Sequence, residues 1–187
     1  MIKKPRRAIN ITNLQRKQRI DQRLVRYTVR SVIENLFCGS YGMDIIFCSP
    51  AYIQRLNKTY RGEDAATDVL SFGIKEYAGD IFYIGEIYIA PLIAQKNYLK
   101  YKDFWEKEKW VENSGGSGAN SNKFNGFDEE LTLLVIHGIL HLFGYVHDEG
   151  HMLDILDEAY DKEMKDMQTL LFNNIRFSFY KRPFYDR

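Results

Sequence analysis

Histidine is missing from 172 of the 187 residues, and all four that exist lie between His137 and His151. Cysteine is almost as scarce: Cys38 and Cys48 form no C-x-x-C pair. With 45% hydrophobic and 14% aromatic residues, the chain can build a core without a covalent staple. A disulfide scaffold is therefore excluded, and free thiols in a reducing compartment are expected. Nowhere do eighteen apolar residues run together, which excludes a membrane-spanning helix. The basic start Met-Ile-Lys-Lys-Pro-Arg-Arg has no apolar stretch behind it, so a secretion signal is not expected either. These absences predict one soluble domain over residues 1–187, cytoplasmic and without a membrane partner.

Net charge is low as well, +1, but this sum hides two opposed regions. Residues 1–30 hold ten Lys or Arg against the single acid Asp21, whereas residues 128–166 hold eleven acids against Lys162 and Lys165. A basic first helix carrying Arg16, Lys17, Arg19, Arg23, Arg26 and Arg30 is either a solvated face or a footprint for a polyanion, since neutralised phosphates release counterions.

What the chain does have is the run His137-Gly-Ile-Leu-His141-Leu-Phe-Gly144-Tyr-Val-His147. Side chains four apart share one helix face, so His137 and His141 can reach one ion. Gly144 can adopt the positive φ that ends a helix and turns the chain back, which lets His147 approach from a third direction. Three imidazoles with an open fourth position describe a catalytic zinc site holding one ion. His151, at the start of the next helix, is read as exposed or capping. Spacing alone would suggest a metzincin protease, but in those enzymes the second position is a glutamate base, and here it is Gly138.

Periodicity predicts a strand at Ala8–Thr12, a helix from Gln15 to about Leu36, and a strand at Tyr41–Cys48. Ser49 and Pro50 then supply a cap and first turn for a helix to about Tyr60. Strands follow at Thr67–Ile74 and Ile81–Ile89 around the turn Ala78-Gly79-Asp80, and Pro91 opens a helix reaching about Trp110. Residues 112–126 are Gly-, Ser- and Asn-rich and predict a flexible insertion. Asp128 should cap a helix from Glu129 to Phe143, apolar nearly all round and so central and buried. Met152, Leu156, Tyr160, Met164, Met167 and Leu171 repeat at helical spacing as core packing. The basic-aromatic tail 173–187 either stacks on RNA or forms an edge strand, the latter being preferred.

Two segments, the histidine run and Asn57-Lys-Thr-Tyr60-Arg61 followed by Thr67-Asp68-Val69-Leu70-Ser71-Phe72, resemble motifs of the YbeY endoribonucleases, as does Gly85-Glu86-Ile87. The resemblance spans roughly residues 8–170. It implies an α+β fold, with helices packed on a small mixed sheet around the helix that carries the histidines. It also implies a zinc-dependent endoribonuclease that acts on single-stranded RNA in ribosomal RNA processing (16S 3′ end maturation) and in ribosome quality control, with ribosomal RNA and the small subunit as partners. By the same resemblance His137, His141 and His147 are the metal ligands, and Arg61, with His137, is catalytic. Val146 replaces an aspartate usual in the family, Ala66 replaces a proline, and the insertion is longer; Asp148 or Glu149 is the candidate replacement carboxylate. Arg61 suits a phosphate clamp, its other reading being an ion pair with Glu63 or Asp64. Asp68 and Ser71 receive no catalytic role. The alternative functions are a non-catalytic RNA-binding assembly factor and, second, a metalloprotease.

Overall fold

The computed structural model describes residues 4–100, 126–145 and 162–179. In chain order the elements are β1 (Arg7–Asn13), α1 (Gln22–Leu36), β2 (Tyr41–Phe47), α2 (Pro50–Arg61), β3 (Val69–Ala78), β4 (Ile81–Ile89) and α3 (Pro91–Lys100). Helices α4 (Gly126–Leu142) and α5 (Lys162–Ser178) complete the described chain. The strands form one mixed sheet in the order β1-β2-β4-β3, with β1, β2 and β4 parallel and β3 antiparallel to β4 on the edge. The α+β expectation is met, with helices packed on a small mixed sheet around a buried central helix.

Alternation along the strands divides the two faces. Ile9, Met43, Ile45 and Ile87 point into the main core, where they meet α1, α4 and α5. Leu70, Phe72 and Tyr88 point to the other face and meet Tyr52, Ile53 and Leu56 of α2. Helix α4 lies between the sheet and helices α1, α3 and α5, and thirteen of its seventeen residues are buried. Its apolar circumference leaves no face for water, as expected of a helix at the centre of a core.

Four assignments differ from the sequence reading. Helix α1 starts at Gln22 rather than Gln15, because the Gln15 side chain accepts from the backbone of Lys17 and Gln18 and so closes a turn of its own. Asp21 then caps α1 through Arg23 N and Leu24 N. Arg16, Lys17 and Arg19 therefore precede the helix, and only Arg23, Arg26 and Arg30 lie on it. Helix α4 starts at Gly126, which places Asp128 and Glu129 in the first turn rather than at a cap; Arg176 of α5 reaches Glu129 at 3.3 Å. The residues 173–178 are helical, not an edge strand: Leu171, Phe172 and Ile175 repeat at helical spacing into the core, and Phe179 packs on Tyr27 at 5.3 Å. Strand β3 begins at Val69, so Thr67 and Asp68 precede it and the Asp68 carbonyl accepts from Ala90 N. The insertion at 112–125, the helix beyond Lys100, Met152 to Tyr160 and the tail from 180 onward lie outside the described residues. No described helix is long and apolar enough to cross a membrane.

Among the buried side-chain atoms without a hydrogen-bond partner, those of Glu130 are the carboxylate oxygens. Glu130 of α4 is fully buried, and among the described residues neither of its carboxylate oxygens makes a hydrogen bond. Burial, reinforced by the neighbouring Asp68 charge, pushes its pKa from 4.5 up to about 8. The folded protein therefore holds a proton that the unfolded chain releases above about 4.5, so this group costs stability as pH rises from there to about 8. Urea titrations at pH 5, 6.5 and 8 should show wild-type stability falling relative to Glu130→Gln by on the order of 2–4 kcal/mol across that window. Parallel curves for the two proteins would contradict the assignment.

Candidate metal centre

The end of α4 is shaped by Gly144, whose φ of +93° favours glycine. Tyr145 N donates to Leu140 O at 3.1 Å and Gly144 N to His141 O at 3.0 Å, the two bonds of a Schellman cap. The reversal returns the Tyr145 carbonyl to the helix end, 2.9 Å from His141 Nδ1. One turn earlier, His137 Nδ1 stands 3.2 Å from Oε1 of Gln168, a buried residue of α5. The rings meet at 89° with centroids 4.5 Å apart, and their Nε2 atoms are 3.0 Å apart.

These contacts fit one protonation pattern. A carbonyl oxygen only accepts, so His141 Nδ1 carries the hydrogen and, in the neutral ring, Nε2 keeps a lone pair. Gln168 Oε1, facing His137 Nδ1, fits the same tautomer there. Two lone pairs facing each other at 3.0 Å repel unless a cation is shared between them. Two nitrogens on one tetrahedral zinc, each ~2.0–2.1 Å from it, stand about 3.3 Å apart, so the observed pair fits a metal. Imidazoles whose Nδ1–H groups are tied to oxygen acceptors are the usual form of such ligands.

The structure thus brings His137 and His141 together. His147 and His151 lie outside the described residues, as do Val146, Asp148 and Glu149. Among the described residues no group of three or more His, Cys, Asp or Glu side chains forms.

Gly138 turns towards the sheet. A Cβ there would lie 2.9 Å from both Ile87 Cδ1 and Ser71 Oγ, so a glutamate at this position requires Ile87, Ser71 or α4 itself to shift. Ser71 is thereby a packing residue beneath the central helix. Asp68 is held by Asn97 Nδ2 at 2.9 Å and by the Thr67 hydroxyl at 3.2 Å.

Arg61 ends α2 and is about half exposed. The ion pair of its alternative reading is weak: Glu63 Oε1 lies at 4.0 Å and also faces competition, since Asn57 Nδ2 donates to Glu63 Oε2 at 3.3 Å. Asp64 is engaged elsewhere, by Lys58 at 2.6 Å and Gln54 at 3.1 Å. Tyr60 beside Arg61 packs on Phe72 of β3 at 5.0 Å, whereas Ser71, the previous β3 residue, faces Gly138. The arginine and the histidine helix therefore approach one edge strand from opposite faces. Among the described residues no hydrogen bond links Arg61 to either imidazole.

Two polar participants escaped the sequence reading. Gln168 sits within the apolar stripe Met164, Leu171, Phe172 and Ile175, and a lone amide on such a stripe is the signal that would have found it. Glu130 lies seven residues before His137, hence on the same face of α4, and an acid inside an otherwise apolar helix was its signal.

A profile of the Endoribonuclease YbeY family matches residues 10–111 and 117–174. The chain is 34% identical over 141 residues to the Endoribonuclease YbeY of Pelotomaculum thermopropionicum, covering 73% of this chain and 82% of that protein. It is 26% identical over 177 residues to the protein of the same name from Alkaliphilus metalliredigens, covering 90% and 95%. The solution structure of a Thermotoga maritima protein superposes with a TM-score of 0.53 at 26% identity, covering 96% of each chain.

The contact at Gly138 gives a direct test. Alanine normally favours a helix over glycine by about 1 kcal/mol, yet here Gly138→Ala should lower stability by about 1–3 kcal/mol through overpacking. Denaturant unfolding measures this, and a neutral or stabilising result would contradict the close approach.

Proposed function

The chain belongs to the YbeY endoribonuclease family, and from that membership we propose that it is a metal-dependent hydrolase that cleaves single-stranded RNA during ribosomal RNA processing, at the 16S 3′ end, and in ribosome quality control. It would work in the cytoplasm with the small ribosomal subunit as partner. The observation that carries this reading is the pair of Nε2 atoms 3.0 Å apart, each ring tied through Nδ1 to an oxygen acceptor. His137, His141 and His147 would hold one zinc ion. When bound, that ion supplies Lewis acidity, which brings the pKa of water towards ~7 and polarises a phosphoryl oxygen.

The chain's own residues do the remaining work. Gln168 and the Tyr145 carbonyl fix the imidazole orientation, so little reorganisation accompanies binding. Arg61, held only at the limit of an ion-pair distance, offers paired donors to a phosphate. Gly138 argues against the protease reading, because the position of the protease base is filled by the sheet.

Purified protein, with metal content measured, is incubated with single-stranded RNA and with casein. Wild type should cleave RNA only. His137→Ala should lose metal and cleavage together, while Arg61→Ala should keep the metal and lose about 10²–10³-fold in rate. Undiminished RNA cleavage by His137→Ala would sink the metal mechanism. Casein cleavage without RNA cleavage would revive the protease, and full zinc occupancy with neither activity would favour a binding factor. Gln168→Leu, which removes only the orienting acceptor, should weaken zinc affinity about 10–100-fold in a competitive chelator titration; unchanged affinity would remove Gln168 from the centre.

A further inference from the structure

Tyr60 is a large aromatic side chain left 66% exposed, yet it is not loose. Its ring meets Phe72 at 5.0 Å and 62°, Phe72 meets Tyr88 at 5.7 Å and 81°, and Tyr88 stacks on Tyr52 at 6.2 Å. The row ends under Arg55, whose guanidinium lies 5.5 Å from the Tyr52 ring centroid. Tyr60 is thus fixed from beneath by an aromatic row while most of its surface stays open to solvent. It directly precedes Arg61, and the last turn of α2 also carries Lys58. We propose that Tyr60, supported by Phe72, is a base-stacking platform for single-stranded RNA, receiving the base of a nucleotide whose phosphate Arg61 engages.

Single-stranded nucleic acid is bound by pairing a cation for the phosphate with an aromatic face for the base, and stacking tolerates any sequence because every base has a π-face. Here both groups occupy consecutive positions at a helix end. The acids that follow do not bury the cation: Asp64 is taken by Lys58 and Gln54, and Glu63 reaches Arg61 only at 4.0 Å. A rigid aromatic also loses little conformational freedom on binding. The platform rests on the endoribonuclease reading, and it adds the recognition of a base to the recognition of a phosphate.

Tyr77 provides an internal control, because it is 72% exposed and packs on Phe82 instead, among residues of the β3–β4 hairpin. Binding is measured by fluorescence anisotropy with a labelled 2′-O-methyl oligouridylate and an abasic oligomer of equal length, and cleavage kinetics are followed on unmodified single-stranded RNA. Wild type and Tyr77→Ala should bind the base-bearing oligomer about 5- to 150-fold more tightly than the abasic one. Tyr60→Ala should lose that preference and raise KM with kcat nearly held, whereas Tyr60→Phe should retain both values, which separates stacking from misfolding. Full discrimination by Tyr60→Ala would overturn the platform while leaving the nuclease reading intact, provided wild type still cleaves RNA and Arg61→Ala does not. Failure of wild type to bind either oligomer would overturn both.

Discussion

A helix without an exposed face must settle its polar groups inside the protein, and α4 is such a helix. Leucines, isoleucines and valines bury it against the sheet and three other helices, so every donor or acceptor it carries either finds a partner or bears the cost of desolvation. His137 finds Gln168, and His141 finds the carbonyl that the Gly144 turn brings back. Glu130 finds none and keeps its proton instead. The same pressure that pairs both Nδ1 atoms sets the two Nε2 atoms 3.0 Å apart.

Close packing of α4 on the sheet serves that arrangement. At Gly138 the helix touches Ile87 and Ser71, which sets its depth and hence where His137 and His141 emerge. The edge strand β3 carries this packing on one face and supports Tyr60 and Arg61 through Phe72 on the other. A proposed catalytic centre and a proposed substrate-binding edge are in this way built on adjacent residues of a single strand, with no described side chain bridging them.

Much of this was legible in the residues. The alternation in β1 and β2, the Ser49-Pro50 start of α2 and the apolar girth of α4 each act locally, so periodicity reveals them. The spacing of His137 and His141 predicted a shared face, and Gly144 predicted the reversal after it. Most of what was not legible depended on partners distant in sequence. Gln168 meets His137 across thirty-one positions, and a lone amide on an apolar stripe marks a buried residue without naming its partner. Gly138 read as a missing base, but its reason, contact with Ile87 and Ser71, exists only once the sheet is assembled. Gln15 delays the start of the first helix, because a side chain competing for backbone donors is invisible to hydrophobic periodicity. The segment 173–178 was misread since alternating aromatics suit a strand until Ile175 and Phe172 are placed on one buried helix face.

The central claim is that core packing holds both imidazoles as Nδ1–H tautomers with their Nε2 atoms converging on one zinc ion. Long-range ¹H–¹⁵N NMR of the histidine rings, recorded without metal and then during a zinc titration, tests it most directly. The account predicts Nδ1–H tautomers for His137 and His141 before any metal is added, and Nε2 resonances that shift together and saturate at one equivalent of zinc. An Nε2–H tautomer at His141 in the metal-free protein, or Nε2 resonances unmoved by zinc, would contradict it.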